Sequence, residues 1–192
     1  MKKGFTIIEV SILFVIFLIV AFLVAPLSLD DTMQAKNTSR WRNVQEDFIN
    51  IHSSVTSLVE EENVDFIETL KEAFENEVKS SIKPYKITYM NGTSSAKDFK
   101  YEEFYVTYSN AVLAYKFFEP TENELLGELI YDVNGVNGPN VWGKDVYGMN
   151  IYKNKFEPLG YDRAFDTQKQ DCSRIGKGCY CSSYYLIGGN FD

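Results

Sequence analysis

From Phe5 to Ala25 the chain is apolar on every helical face, and Glu9 is the one charged side chain in that run. At about 1.5 Å per residue the run makes a helix of about 32 Å, which matches a hydrocarbon core of about 30 Å. The pattern predicts a retained membrane helix, since an ordinary secretory signal has a shorter apolar region that ends in a small-residue cleavage site. Lys2 and Lys3 precede the run, and Asp30 and Asp31 follow it. That asymmetry keeps the short amino end cytoplasmic and exports everything after Pro26. Pro26 has no amide hydrogen and clashes with the preceding turn, so a kink or loosening is expected there, or a boundary between span and stem.

Beyond the span the period becomes amphipathic. Trp41, Val44, Phe48, Ile51, Val55 and Leu58 recur in steps of three and four between charged residues, as on a helix with one apolar stripe. The repeat is too short for a two-stranded coiled coil, and the stripe is expected to pack on the chain's own sheet. Asp65, with Glu68 three residues later, predicts the cap of a short helix whose apolar face is Phe66, Ile67, Leu70, Phe74 and Val78. From Pro84 the texture turns aromatic and β-branched. Strands are predicted over Tyr85–Met90, Phe99–Tyr108, Ala111–Phe118, Leu129–Val133 and Val146–Tyr152, with turns at Asn91-Gly92, Ser109-Asn110 and Asn134-Gly135. The expected fold class is α+β, a long amino-terminal helix packed on an antiparallel sheet, with the aromatic residues mainly in the core.

A length of 192 residues leaves room for one membrane segment and one exported domain of ordinary size. The net charge is -8, and a surface this acidic argues against nucleic-acid binding, which needs basic patches to displace counterions. No nucleophile elbow, phosphate-binding loop, dinucleotide fingerprint or zinc-protease motif occurs, so the chain does not read as an enzyme. Its one histidine, His52, falls on the stem helix as a half-exposed residue.

The stretch Asp132–Asn140, followed by Gly143 and Asp145, is rich in glycine and in oxygen-bearing side chains. Structural turns are the preferred reading, because Asn-Gly and Pro-Asn form turns in their own right. The alternative is calcium held by Asp132, Asn134 and Asp145 with backbone carbonyls, although the spacing does not fit an EF-hand. Cys172, Cys179 and Cys181 lie on the exported side, where a disulfide is expected from Cys172 to Cys179 or to Cys181; one thiol is left over.

Met1-Lys2-Lys3-Gly4, then Phe5, then Glu9 at the fifth place from Phe5, closely resembles the prepilin leader of the type IV pilin superfamily, which includes minor pilins and type II secretion pseudopilins. Pro26 also falls where many members carry a helix-loosening proline. The resemblance implies cleavage between Gly4 and Phe5 by a prepilin peptidase and N-methylation of Phe5. It divides the chain into a leader at 1–4, a transmembrane and filament-core helix at 5–29, and an exported pilin-like head at 30–192. The fold it implies is type IV pilin-like, with span and stem in one long helix.

The function it implies is that of a structural subunit, a minor pilin or pilin-like protein. Such a subunit waits in the inner membrane and is then drawn by an assembly platform into an extracellular or periplasmic filament of other pilin subunits. In that filament Glu9 meets the Phe5 amine of a neighbour. The loop resembles a segment near which some pseudopilins bind calcium. Two alternatives stand beside this reading: a type II secretion pseudopilin, and a membrane-tethered binding protein that never polymerises, with an uncleaved amino terminus.

Overall fold

Two apolar patterns, one without a polar face and one with a stripe, fall in a single helix, α1 (Ile7–Glu62). The computed structural model of the protein describes residues 7–83, 86–95, 99–101, 103–119 and 124–190, and for 24–30 the backbone alone. The chain divides into two compact units, residues 1–36 and 37–192, and α1 contributes to both.

In the first unit the apolar side chains of α1 are uncovered all round the helix. Ile7 is 86% exposed, Ile8 72%, Ile16 51% and Phe17 66%, and these four positions point in four directions about the helix axis. A helix of this kind is stable only when lipid or other chains cover it. Among the described residues no helix is long and apolar enough to cross a membrane. Phe5 and Thr6, and the span's side chains beyond Leu23, lie outside the described residues, while the backbone of α1 stays helical through Pro26, so no helix boundary falls there.

In the second unit the stripe does what its period predicts. Trp41, Phe48 and Val55, two turns apart, are buried; Val44 and Ile51 are half-buried, and Leu58 at the far end is exposed. The stripe packs into a core with the sheet, as expected, and not against a second stem. Helix α2 (Phe66–Asn76) begins where the cap was expected: Asp65 accepts a 2.9 Å bond from the Glu68 amide and satisfies one of the orphan donors of the first turn. Phe66, Leu70 and Phe74 face the core.

Six strands follow: β1 (Val78–Ile82), β2 (Phe104–Thr107), β3 (Val112–Phe117), β4 (Leu125–Asp132), β5 (Val146–Tyr152) and β6 (Phe156–Pro158). They form one antiparallel sheet in sequence order, so each strand pairs with its neighbour in the chain. Two short helices close the chain, α3 (Phe165–Asp171) and α4 (Cys181–Tyr184).

Several expectations are corrected here. Val78 does not extend the face of α2; it opens β1, because Glu77 ends the helix and pairing with β2 is available. The strand expected over Tyr85–Met90 is reduced, among its described residues, to isolated bridges from Thr88 to Ser94 and Val141. The regular part of Phe99–Tyr108 is the four residues of β2. Strand β4 begins four residues earlier than expected, since Gly127 and Glu128 pair with β3 and β5 although neither is a strand former.

The sheet is covered on both faces. Leu113, Leu129, Tyr131, Tyr147 and Met149 point to the helices, while the alternate residues Val112, Ala114, Ile130 and Val146 pack with Ile87, Tyr89, Trp142 and Cys179. Burial on both sides explains why β4 and β5 read as nearly continuous apolar runs and not as clean alternations.

Candidate functional site

The features that carry function lie apart. Gly4 and Phe5, the expected cleavage and methylation positions, fall outside the described residues. Glu9 stands in the first turn of α1, among exposed apolar neighbours. A carboxylate near a helix amino terminus gains about 0.3–1 kcal/mol from the helix dipole. The cost of an ionised side chain at mid-bilayer is about 2.5–3.5 kcal/mol on insertion scales, which is larger than that gain.

The loop between β4 and β5 does bring Asp132, Asn134 and Asp145 together, with both carboxylates and the Asn134 side-chain NH2 already hydrogen-bonded, while Asn134 Oδ1 and Asn140 Oδ1 are buried without a hydrogen-bond partner among the described residues. Asp145 is fully buried, and its carboxylate accepts from the Val141 amide at 2.6 Å, the Asn140 amide at 2.9 Å and the Asn134 side-chain amide at 3.0 Å. Asp132 Oδ1 accepts from the Asn134 amide at 3.0 Å, the hydrogen bond of an Asx turn. Burial pushes the Asp145 carboxyl above its ordinary range, and the N–H groups of Val141, Asn140 and Asn134 pull it back.

As hydrogen-bonded here, these residues form a turn and not a calcium cage. A hard cation needs six to eight converging oxygens, whereas three N–H groups converge on Asp145 and Asn134 turns its NH2, not its oxygen, toward that carboxylate. Among the described residues no group of three or more His, Cys, Asp or Glu side chains stands where it can hold a metal ion. The turn reading is the one the geometry favours, with Asp145 as its central acceptor. Asp145→Ala strands three buried donors and is expected to cost about 3 kcal/mol. In thermal melts of the full chain, millimolar calcium should leave the wild-type midpoint where magnesium leaves it. A calcium-specific rise would restore the metal reading.

The carboxyl-terminal cysteines resolve in favour of Cys172 with Cys181, nine residues apart. Cys179 is buried in the cluster on the opposite face of the sheet. A loop of that length is worth about 2.5 kcal/mol in the chain-entropy account. Asp171, just before the loop, accepts from the amides of Lys177 at 3.1 Å and Tyr180 at 2.8 Å within it. The loop fits against the β4–β5 turn at Gly143, whose φ is +78° and where a Cβ would run into Cys181 Sγ. Glycine is required there for both reasons.

Sequence reasoning missed the residues that fasten these loops to the stem. Within the second unit, α1 offers donors to backbone carbonyls of the β4–β5 loop and of α4 with its cap: Asn37 Nδ2 to Lys144 at 3.1 Å, Arg40 Nη1 to Val133 at 3.1 Å, Trp41 Nε1 to Ser182 at 2.8 Å, and Arg42 Nη2 to Tyr185 at 2.8 Å. The signal in the sequence was three polar donors, Asn37, Arg40 and Arg42, flanking Trp41 at the start of the apolar stripe. It reads as ordinary solvated polarity until the partners, about 100 residues away or more, are in place. His52 lies half-buried between Phe66 and Phe156, with Nε2 3.0 Å from the Lys153 carbonyl oxygen.

In comparisons with known proteins, the chain matches no protein-family model, no curated protein and no solved structure.

Proposed function

We propose that this chain is a structural subunit of a type IV pilus-type filament, a minor pilin or pilin-like protein. It is processed between Gly4 and Phe5 and assembled through its apolar amino-terminal helix. The observation that carries this reading is the exposure of every face of α1 from Ile7 to Leu23 with Glu9 in its first turn. Such a surface calls for apolar cover, as lipid or neighbouring apolar helices supply, and the resemblance to a prepilin leader implies that Glu9 meets the Phe5 amine of a neighbour in the filament. The α+β head, with its long helix on an antiparallel sheet and a disulfide near the carboxyl end, supports the same reading. The subunit resides in the inner membrane with its head exported until the assembly platform extracts it. It performs no catalysis.

Mass spectrometry of the amino terminus tests this directly. In a host with a prepilin peptidase, the mature chain should begin at methylated Phe5, and Gly4→Val should leave the leader attached. Retention of Met1–Gly4 by the wild-type chain in such a host would overturn the proposal and favour a tethered protein that never polymerises.

A further inference from the structure

A cavity of about 430 Å³ opens between α1, the end of α2 and the β2–β3 hairpin, away from the loops described above. Its floor is apolar and buried: Phe48, Phe74 and Leu113. Its lining also includes the exposed residues Asp47 and Glu77, which place carboxylates at the rim, and the buried Tyr131 with its hydroxyl. Among the described residues neither carboxylate has a basic side chain at ion-pair distance. Glu77 is also the carboxyl-terminal cap of α2, whose last turn contains no basic residue, so the negative end of that helix adds to the same potential. From this arrangement we infer that the cavity binds a small organic cation, an aromatic or branched aliphatic body bearing one primary ammonium or guanidinium.

Each part of the site selects one part of that ligand. The volume lies in the range of small-molecule pockets, about 300–1,000 Å³. The floor is unsuited to a bare metal ion, which would face carbon on one side and lack the oxygens it needs. Phe48 already stands edge-on to Phe74 at 6.1 Å and to Tyr131 at 5.7 Å between centroids, and a ligand ring would continue that arrangement. The head group has a defined place at the mouth. Burial raises the affinity of the Tyr131 hydroxyl for its proton, bonds with Ser109 and Thr107 lower it, and Asp47 and Glu77 both raise it, so the two negative fields meet at that hydroxyl. Ser109 Oγ is 3.3 Å from Tyr131 Oη and 2.8 Å from Thr107 Oγ1, a line of hydroxyls with lone pairs to offer an N–H donor. A neutral or anionic ligand would gain the floor and lose the mouth.

Ligand-observed NMR titration of the full-length chain in dodecylmaltoside micelles tests the inference with 2-phenylethylamine as probe. 2-Phenylethanol is the uncharged control. The amine should bind the wild type more tightly than the alcohol, and the double variant Asp47→Asn/Glu77→Gln should weaken the amine by about tenfold while leaving the alcohol unchanged. Both acids are exposed at the rim, so the variant should melt with the wild type. Val44→Phe, which fills the cavity from α1 without changing charge, should weaken both compounds. Equal binding of amine and alcohol to the wild type, or amine binding unchanged in the double variant, would overturn the inference. Neither result bears on amino-terminal processing or filament formation, which are read by the mass of the mature chain.

Discussion

Trp41→Ala is expected to be the most damaging single substitution in the head. Trp41 is fully buried, its ring stacks on Tyr147 at 4.8 Å and 13°, and its Nε1 donates to the Ser182 carbonyl. Truncation removes the largest side chain of the stem stripe, leaves a cavity at the meeting point of α1, β5 and α4, and strands a carbonyl in the interior. A buried Trp→Ala costs about 3–5 kcal/mol, to which the unpaired acceptor adds about 1–3. For a unit of this size each kcal/mol lowers the midpoint by about 2–4 °C, so a fall on the order of 10 °C or more is expected. Trp41→Phe keeps a ring on Tyr147 but loses the N–H, and should recover more than half of the loss. Thermal melting of the full chain, followed by near-ultraviolet circular dichroism, measures both. A fall of less than about 3 °C for Trp41→Ala would mean that the stem does not hold the carboxyl-terminal loops in place.

If the chain assembles as proposed, Glu9→Val is expected to insert stably into the membrane yet assemble poorly into the filament. The substitution makes the apolar run continuous, which favours insertion by about 2.5–3.5 kcal/mol if the carboxylate would otherwise lie in the bilayer centre. In a filament the balance reverses. The Phe5 amine of a neighbour, buried without its counter-charge, costs about 3–5 kcal/mol per contact, and the contact recurs along the whole assembly. Even the lower figure is about a hundredfold at each addition. The measurement is the ratio of sheared-filament to membrane-retained protein in cells with the assembly machinery. Equal ratios for wild type and Glu9→Val would remove this carboxylate from the assembly mechanism. Glu9→Asp, which keeps the charge on a shorter arm, should lie between them.

The two substitutions act on two different kinds of information. The Glu9 argument draws on an apolar run with one acid in it and on the resemblance of residues 1–9 to a prepilin leader. Features whose physics is local need only the chain. The Asp65 cap requires one side chain and the amide three residues on, the stem stripe is a period of three and four, and the turns at Gly92 and Asn110 take the positive φ that Gly and Asn tolerate. These were legible because each is decided within a few residues.

Tertiary structure decided what depends on partners distant in sequence. β1, with the sequence Val-Lys-Ser-Ser-Ile, has no alternation of its own and is a strand because β2 supplies its hydrogen bonds. β6 likewise depends on β5. Cys172 to Cys179 and Cys172 to Cys181 are both compatible with chain length, and the choice fell to Cys181 because α4 turns it toward the helix side of the sheet while Cys179 packs on the other. Asp145 could be read from sequence as a ligand or as a turn acceptor; only folding aimed three N–H groups at it. The sequence determined where an acid, a cap or a stripe must lie, since those preferences are set by covalent neighbours. The fold determined what each polar atom meets, since a buried donor or acceptor is satisfied by whichever group the rest of the chain brings to it.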